Sequence, residues 1–260
     1  MILMLAPIEA MTDSAFRKLC FMLGCDLTMT EMVRINALAS GEEHALAKTK
    51  LIDDTPTQVQ IVGSSEEALS VFLKEYIPGP GFSGININLG CPNPMIIQLG
   101  AGAALVKRTS KVKRMVEMIK ARGFPVSVKM RLGANQLEKD SKVYLRLINE
   151  VDADFFVVHA RHGKQTYQEP ADFSVYPECI KTGKKIVANG DIKTKAQVDS
   201  LEKMGAYGVM IGRAAIENPG IFSSLKGKST GIDIRETYME LSANSVPKYR
   251  NNVLRRMTQF

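Results

Sequence analysis

Eight short, apolar, β-branched runs alternate with longer amphipathic helical patterns along 260 residues. This order predicts an α/β fold, a TIM (β/α)8 barrel with a short helical C-terminal extension. Two further observations favour the closed barrel over an open doubly wound sheet. Polar residues gather where the runs end: Gln60, Asn88 with Cys91, Lys129 with Arg131, His159 with Arg161, and Asn189-Gly190-Asp191. In a barrel those ends converge on one face, the face that houses catalysis. The first run leads into Ala6-Pro7-Ile8-Glu9-Ala10, not into the G-x-G-x-x-G that marks a dinucleotide-binding open sheet.

The elements follow in order. Strands are expected near Leu3 to Ala6, Leu27 to Glu31, Gln58 to Val62, Gly84 to Asn88, Val126 to Arg131, Phe155 to His159, Ile186 to Asn189 and Gly208 to Ile211. Each is rich in β-branched or apolar side chains and most are bounded by turn formers. Helices are expected over Asp13 to Met22, Ser65 to Tyr76, Ser110 to Ala121, Lys139 to Asn149 and Thr194 to Met204, several opened by Ser, Thr or Asp caps. Residues 1–228 make the barrel. Residues 229–260 form a short or truncated helical region, with one or two helices over Asp233 to Ser242 and Val246 to Phe260.

Composition narrows the class. A 45% hydrophobic content supports a substantial core and excludes a disordered chain. No apolar run is long enough to cross a bilayer, and the first residues lack the basic flank and length of a signal peptide, so a cytoplasmic protein is expected. Four cysteines form no C-x-x-C pair, so neither a metal site nor a disulfide framework is indicated. The 34 basic residues outnumber 27 acidic ones for a net charge of +7, which suits a polyanionic partner such as nucleic acid but also plain solubility.

Cys91 stands in Asn88-Leu89-Gly90-Cys91-Pro92-Asn93-Pro94, on a turn beyond a strand end. A thiol there suits chemistry, although free cysteine is also a common small core residue. Lys129 lies inside Val126-Ser127-Val128-Lys129-Met130, where it cannot face an apolar helix layer without a large desolvation cost, so it is expected to point inward beside an anion or polar ligand. His159 closes its strand and is either a ligand contact or a satisfied structural side chain. Asn189-Gly190-Asp191 and Ile211-Gly212-Arg213 end the last two strands, where barrels commonly cradle a phosphate on free N–H groups. Arg213 would add a charge-assisted contact.

These residues resemble those of the tRNA-dihydrouridine synthases, FMN-dependent reductases on a TIM barrel. The resemblance runs through Thr12-Asp13-Ser14-Ala15-Phe16-Arg17, Asn88-Leu89-Gly90-Cys91-Pro92, Val128-Lys129-Met130-Arg131-Leu132-Gly133, His159-Ala160-Arg161 with Gln165-Thr166-Tyr167, Asn189-Gly190-Asp191-Ile192 and Gly208 to Ala215. It implies a flavin across the barrel mouth. Pro7, Ile8 and Glu9 would pass the ring by backbone, Gln60, Lys129 and His159 would contact its polar edge, and Asn189, Gly190, Asp191, Gly212 and Arg213 would hold the phosphate end. NADPH would reduce FMN, hydride would pass to C6 of a tRNA uracil, and Cys91 would give the proton to C5. Asn88 and Arg161 are the expected substrate contacts.

A thiol suits that role, because its ordinary pKa of about 8.5 leaves it protonated near neutrality yet acidic enough to give the proton up. A stacked uracil cannot present its face, so a flipped-out base is expected. By the resemblance, residues 229–260 correspond to a reduced or truncated form of the family's helical tRNA-binding domain. Two other readings share these motifs: an FMN barrel acting on a free pyrimidine, as dihydroorotate dehydrogenases do, and an RNA-binding barrel without catalysis.

Overall fold

The computed structural model describes residues 1–258. Its strands are β1 (Ile2–Leu5), β2 (Thr28–Met29), β3 (Val33–Arg34), β4 (Thr57–Val62), β5 (Phe82–Leu89), β6 (Val126–Arg131), β7 (Phe155–His159), β8 (Ile186–Asn189) and β9 (Gly208–Ile211). They pair in parallel in the order β1-β9-β8-β7-β6-β5-β4-β2. A bridge between Met4 and Leu27 brings the two ends together, with Leu5 N–H donating to the Leu27 carbonyl at 3.0 Å. The expected barrel is therefore the observed one.

The second expected strand, Leu27 to Glu31, is corrected: only Thr28–Met29 is strand, and a second short strand follows beyond it at Val33–Arg34. Met29 pairs with Gln58 and Val33 with Ile61, so one strand carries an extra residue between those pairs and bulges away from β4. Thr30 still donates its N–H to the Gln58 carbonyl of β4 at 2.9 Å, while the chain beyond it bulges and leaves the Glu31 carboxylate buried near the mouth. The expected helix over Lys139 to Asn149 also divides, into Gln136–Asp140 and Val143–Glu150, at a left-handed Lys142 with φ of 51°.

Period-two alternation sorts the strand side chains between two environments. Val59, Ile61, Ile85, Ile87, Val128, Met130, Phe156 and Val158 face the helices and build the large outer core. Met4, Met29, Val157, Val187 and Met210 fill one half of the barrel interior. The other half is polar and holds a chain of amides. Ser127 Oγ donates to Gln58, Asn86 Nδ2 donates to Ser127 Oγ at 2.7 Å, Gln60 Nε2 to Asn86 Oδ1 at 2.7 Å, and Asn88 Nδ2 to Gln60 Oε1 at 2.8 Å. Each buried amide finds a partner, so this interior is a satisfied network and not a set of costly orphans.

The helices begin where capping chemistry puts them. Asp13 accepts from Phe16 N at the start of Ser14–Met22, Ser65 caps Glu66–Glu75, and Thr194 with Gln197 forms a capping box on Lys195–Lys203. At the C-terminus Ile234–Leu241 and Pro247–Arg256 are helical; residues 259–260 of the expected last helix lie outside the described residues. Ile234, Tyr238, Val253 and Met257 are buried in the barrel's own outer core, and Tyr238 meets Phe16 edge to face at 6.0 Å. Residues 229–258 are thus fused to the barrel through shared packing.

Candidate active site

The loop after β5 carries Cys91 and is fixed by its neighbours' chemistry. Asn88 Oδ1 accepts from the N–H groups of both Gly90 and Cys91 at 2.9 Å, closing the turn. The Cys91 carbonyl accepts from Ala103 N at 3.0 Å. Gly102, at φ of 58°, packs so closely beneath that an added Cβ would lie 2.5 Å from the Cys91 carbonyl oxygen. The side chain of Cys91 is left half-buried. It lies within electrostatic reach of Lys129 and Arg131, two side chains on the same face of β6.

Lys129 faces the barrel axis, and no hydrogen bond to its ammonium is found among the described residues. Burial first, then the positive charge of Arg131, pulls its pKa from 10.5 down to about 8; Cys91 opposes this. His159 follows on β7, paired in register with Arg131 and Asn189. Burial, and then the charges of Lys129, Arg131, Arg161 and Arg213, depress its pKa to about 2, so the imidazole is neutral. Arg161 Nη1 meets His159 Nε2 at 3.1 Å. A guanidinium only donates, so Nε2 accepts and the ring proton resides on Nδ1.

A cavity of about 90 Å³ lies among Pro7, Ile8, Lys129, His159, Gly190 and Arg213. Tyr167 forms its roof: the ring stacks on His159 at 6.1 Å and lies 4.4 Å from the Arg213 guanidinium. Arg131 holds the loop that leads to it, donating through Nη1 to the carbonyls of His162 at 2.8 Å and Gln165 at 3.1 Å. At the far end Gly190 adopts φ of 121°, and an added Cβ would lie 2.9 Å from that of Ala171. A Cβ on Gly212 would instead fill the cleft against Ala6 and Ile8, at 3.4 and 3.6 Å.

The expected site residues divide on this geometry. Cys91, Lys129, His159, Gly190, Gly212, Arg213, Pro7 and Ile8 share the C-terminal mouth of the barrel, with Cys91 beside the cavity and the rest lining it. Glu9 does not line the cavity; its carboxylate leaves the mouth to meet Lys48 at 2.7 Å. Gln60 lies in the amide chain beneath, and Asn88 spends its amide on Gln60 and on the Cys91 turn. Asn189 lines the cavity and donates to the Met210 carbonyl at 2.9 Å, tying β8 to β9. Arg161 is fully buried, donating to the Glu169 carbonyl at 2.8 Å and to Asp191.

Asp191, at φ of 49°, binds Arg161 and also Arg213 at 2.8 Å, so its carboxylate organises the cations of this end. A carboxylate repels a phosphate, which leaves the N–H groups of the two glycine turns and Arg213 as the groups chemically able to take an anion. Sequence reasoning assigned no role to Tyr167 or Arg131. The spacing of Arg131 two residues beyond Lys129 was a usable signal, since such residues share a strand face. Glu31 was missed as well. It accepts from Ala10 N–H and the Tyr249 hydroxyl and lies 3.5 Å from Lys48, joining the last helix to the loop of Pro7 and Ile8.

The donor set fits a flavin: an ammonium with no partner among the described residues, a neutral imidazole Nδ1–H, and a glycine-lined cradle whose cleft a Cβ at position 212 would fill. The cavity is below the roughly 300–1,000 Å³ typical of drug-sized ligands, and the Tyr167 ring lies over its His159 and Arg213 side. Among the described residues no cluster of three metal-binding side chains occurs, and no helix is long and apolar enough to cross a membrane.

Residues 4–258 match the family model described as Dihydrouridine synthase (Dus). The "Probable tRNA-dihydrouridine synthase" of Aquifex aeolicus is 34% identical over 238 residues, covering 86% of this chain and 72% of that protein. Its counterpart from Helicobacter pylori strain 26695 is 32% identical over 240 residues, covering 88% and 71%. The tRNA-dihydrouridine(47) synthase [NAD(P)(+)] of Cryptococcus neoformans is 30% identical over 243 residues, covering 85% of this chain and 33% of that protein. Among solved structures, the dihydroorotate dehydrogenase of Eimeria tenella superimposes with a TM-score of 0.60 at 13% identity, covering 87% of this chain and 79% of its own, a likeness of fold alone.

Proposed function

The chain belongs to the dihydrouridine synthase family, and on that premise we propose that it reduces specific uridines of tRNA to 5,6-dihydrouridine, with FMN as cofactor and NADPH as reductant. The observation that carries the reading is the placement of Cys91 on a rigidly tied turn at the barrel mouth, within electrostatic reach of Lys129 and Arg131.

Reducing the C5=C6 bond of uracil adds a hydride to one carbon and a proton to the other. FMN, when bound, supplies the hydride at C6. The protein's task is then to hold the base and to deliver the proton from Sγ of Cys91 to C5. Asn88 serves this by fixing the Cys91 backbone through two hydrogen bonds. Lys129, mostly protonated at neutral pH with a pKa of about 8, offers positive charge to an anionic ring edge. His159 offers a neutral donor at Nδ1. Gly190, Gly212 and Arg213 take the phosphate, and Asp191 and Arg161 hold the framework behind them. Residues 229–260, with Lys248, Arg250, Arg255 and Arg256 on or beside the last helix, lend positive charge for tRNA phosphates.

The purified protein is expected to be yellow and to release FMN on denaturation. NADPH-dependent dihydrouridine formation in unmodified tRNA should occur and collapse in Cys91→Ala while bound FMN is retained. Full activity in that variant would remove the proton-donor role. Turnover of free dihydroorotate or uracil with no action on tRNA would replace the substrate assignment with the free-pyrimidine reading, and a colourless protein unable to take up FMN would overturn both.

A further inference from the structure

Next to the Cys91 turn lies a second cavity, of about 590 Å³, that none of the groups above uses. It is on the same face of the barrel, because its walls are the ends of β3 and β4 and the loops and helices that follow β3, β4 and β5: Arg34, Asn36, Val62, Ile96, Leu99 and Lys111. Ile96 and Ala101 also line it, and between them the chain passes directly against Cys91: the Cβ built on Gly102 would meet both Ile96, at 2.9 Å, and the Cys91 carbonyl. The two sites therefore share a wall.

The chemistry of this cavity is that of a nucleotide pocket. Arg34 is exposed and has no ion-pair or hydrogen-bond partner among the described residues. Lys111 uses one proton on the Ser64 carbonyl at 2.8 Å and keeps two. Arg108, also exposed, reaches over Gly100 at the edge, 3.3 Å from the position of an added Cβ. Of the charged side chains that line the cavity, Arg34 and Lys111 face one carboxylate, Glu42; Glu66 at the edge lies within electrostatic reach of Lys111 but is paired with Arg114 at 2.9 Å. The floor is apolar: Val62 and Ile96 are buried, while Leu99, just past the end of the short helix Pro94–Gln98, is 60% exposed. Apolar side chains left bare beside unpaired cations suit a base lying flat with its phosphate alongside.

We propose that this pocket receives the nucleotide adjacent to the reacting uridine, its base against Leu99, Ile96 and Val62 and its phosphate on Arg34 and Lys111. The proposal rests on the reading of the chain as a tRNA-uridine reductase and names the part of the RNA that the neighbouring surface takes. It is tested on the FMN-loaded protein with unmodified tRNA transcripts. Arg34 and Leu99 are both exposed, so Arg34→Ala and Leu99→Ser keep the fold and the flavin. Arg34→Ala is expected to weaken tRNA binding and lower the slope of log K against log salt by about one. The double variant should bind roughly tenfold more weakly at physiological salt, and 4-thiouridine placed beside the reduced position should cross-link to the peptide bearing Leu99. Wild-type affinity and slope in the double variant, with no cross-link there, would overturn the pocket even if dihydrouridine still forms. Binding that depends on Arg34 and Leu99 in a protein that makes no dihydrouridine would keep the pocket and refute the enzyme reading. A wild-type protein that binds no tRNA overturns the pocket outright.

Discussion

Replacing Lys129 with methionine should stabilise the flavin-free protein while abolishing its function. The Lys129 ammonium sits on the inward face of β6, surrounded by Arg131 and the neutral His159, with no hydrogen-bond acceptor found among the described residues. A fall in pKa from 10.5 to about 8, at roughly 1.4 kcal/mol per pH unit, corresponds to about 3 kcal/mol held against folding. That figure is a ceiling, because the side chain keeps partial contact with water. The sign follows from linkage. Below about pH 8 both folded and unfolded chains carry the charge, and the folded state bears the full cost. Between about 8 and 10.5 the folded lysine is neutral while the unfolded one is still protonated, so stability rises with pH; above 10.5 the cost is gone. Methionine has similar length and no charge. Thermal melts of flavin-free Lys129→Met should therefore lie roughly 5–10 °C above wild type at pH 7, with the gap closing by pH 10.5. A gap that persists unchanged at high pH, or a variant less stable than wild type at pH 7, would show that Lys129 is not held at electrostatic cost. The same variant should bind FMN more weakly, since the cost is recovered when an anionic ligand edge meets the ammonium.

Three more outcomes follow from the same geometry. His159, with its pKa depressed to about 2, should show no imidazole titration by NMR between pH 5 and 8; a midpoint near 6.5 would refute the neutral assignment. Because the unfolded histidine takes a proton first as pH falls, its share of stability is lost from about 6.5 downward, and His159→Gln should flatten the acid limb of the stability curve. Tyr167 competes with an incoming ligand for Arg213 and His159 through contacts of roughly 0.5–1 kcal/mol, so Tyr167→Ala should tighten FMN binding two- to fivefold in a fluorescence titration; weaker binding would mean that the ring covers the flavin and does not obstruct it. Tyr249→Phe removes a donor to the Glu31 carboxylate and should lower stability by about 2 kcal/mol by denaturant titration. An unchanged midpoint would show that the last helix is held without this bond, by apolar packing and by Asn252 Nδ2, which donates to the Ala10 carbonyl at 3.1 Å.

Much of the barrel was legible because its period-two pattern is written locally. Val126, Val128 and Met130 alternate with Ser127, Lys129 and Arg131, and the structure turns the first set to the helices and the second to the axis. The caps at Asp13, Ser65 and Thr194 were equally local. The end of the second strand at Met29 was not, because a bulge depends on how many residues the partner strand offers between two pairings, and that count involves β4. The break at Lys142 was signalled only by Asp140-Ser141 before it, and a lysine rarely adopts the left-handed conformation found there.

The site shows the same division between residue type and pairing. That polar groups collect at the strand ends could be read from the chain; which charge takes which partner could not. Asp191 ends its strand just where a phosphate contact is expected, yet a carboxylate beside a phosphate is repulsive, and its fold-level partners are Arg161 and Arg213, 30 and 22 residues away. Pairing at that range follows from the barrel's closure, which brings β7, β8 and β9 to one rim. The consequence is a cation scaffold built before any ligand arrives. Arg161 is fixed by Asp191 and by the Glu169 carbonyl, it sets the tautomer of His159, and it leaves Arg213 as the more exposed guanidinium at the anion end. Glu31 acts similarly across the mouth, where one buried carboxylate ties Ala10, Lys48 and Tyr249 together. Through Glu31 and Ala10 the loop of Pro7 and Ile8 is thus joined by hydrogen bonds to the basic C-terminal helix.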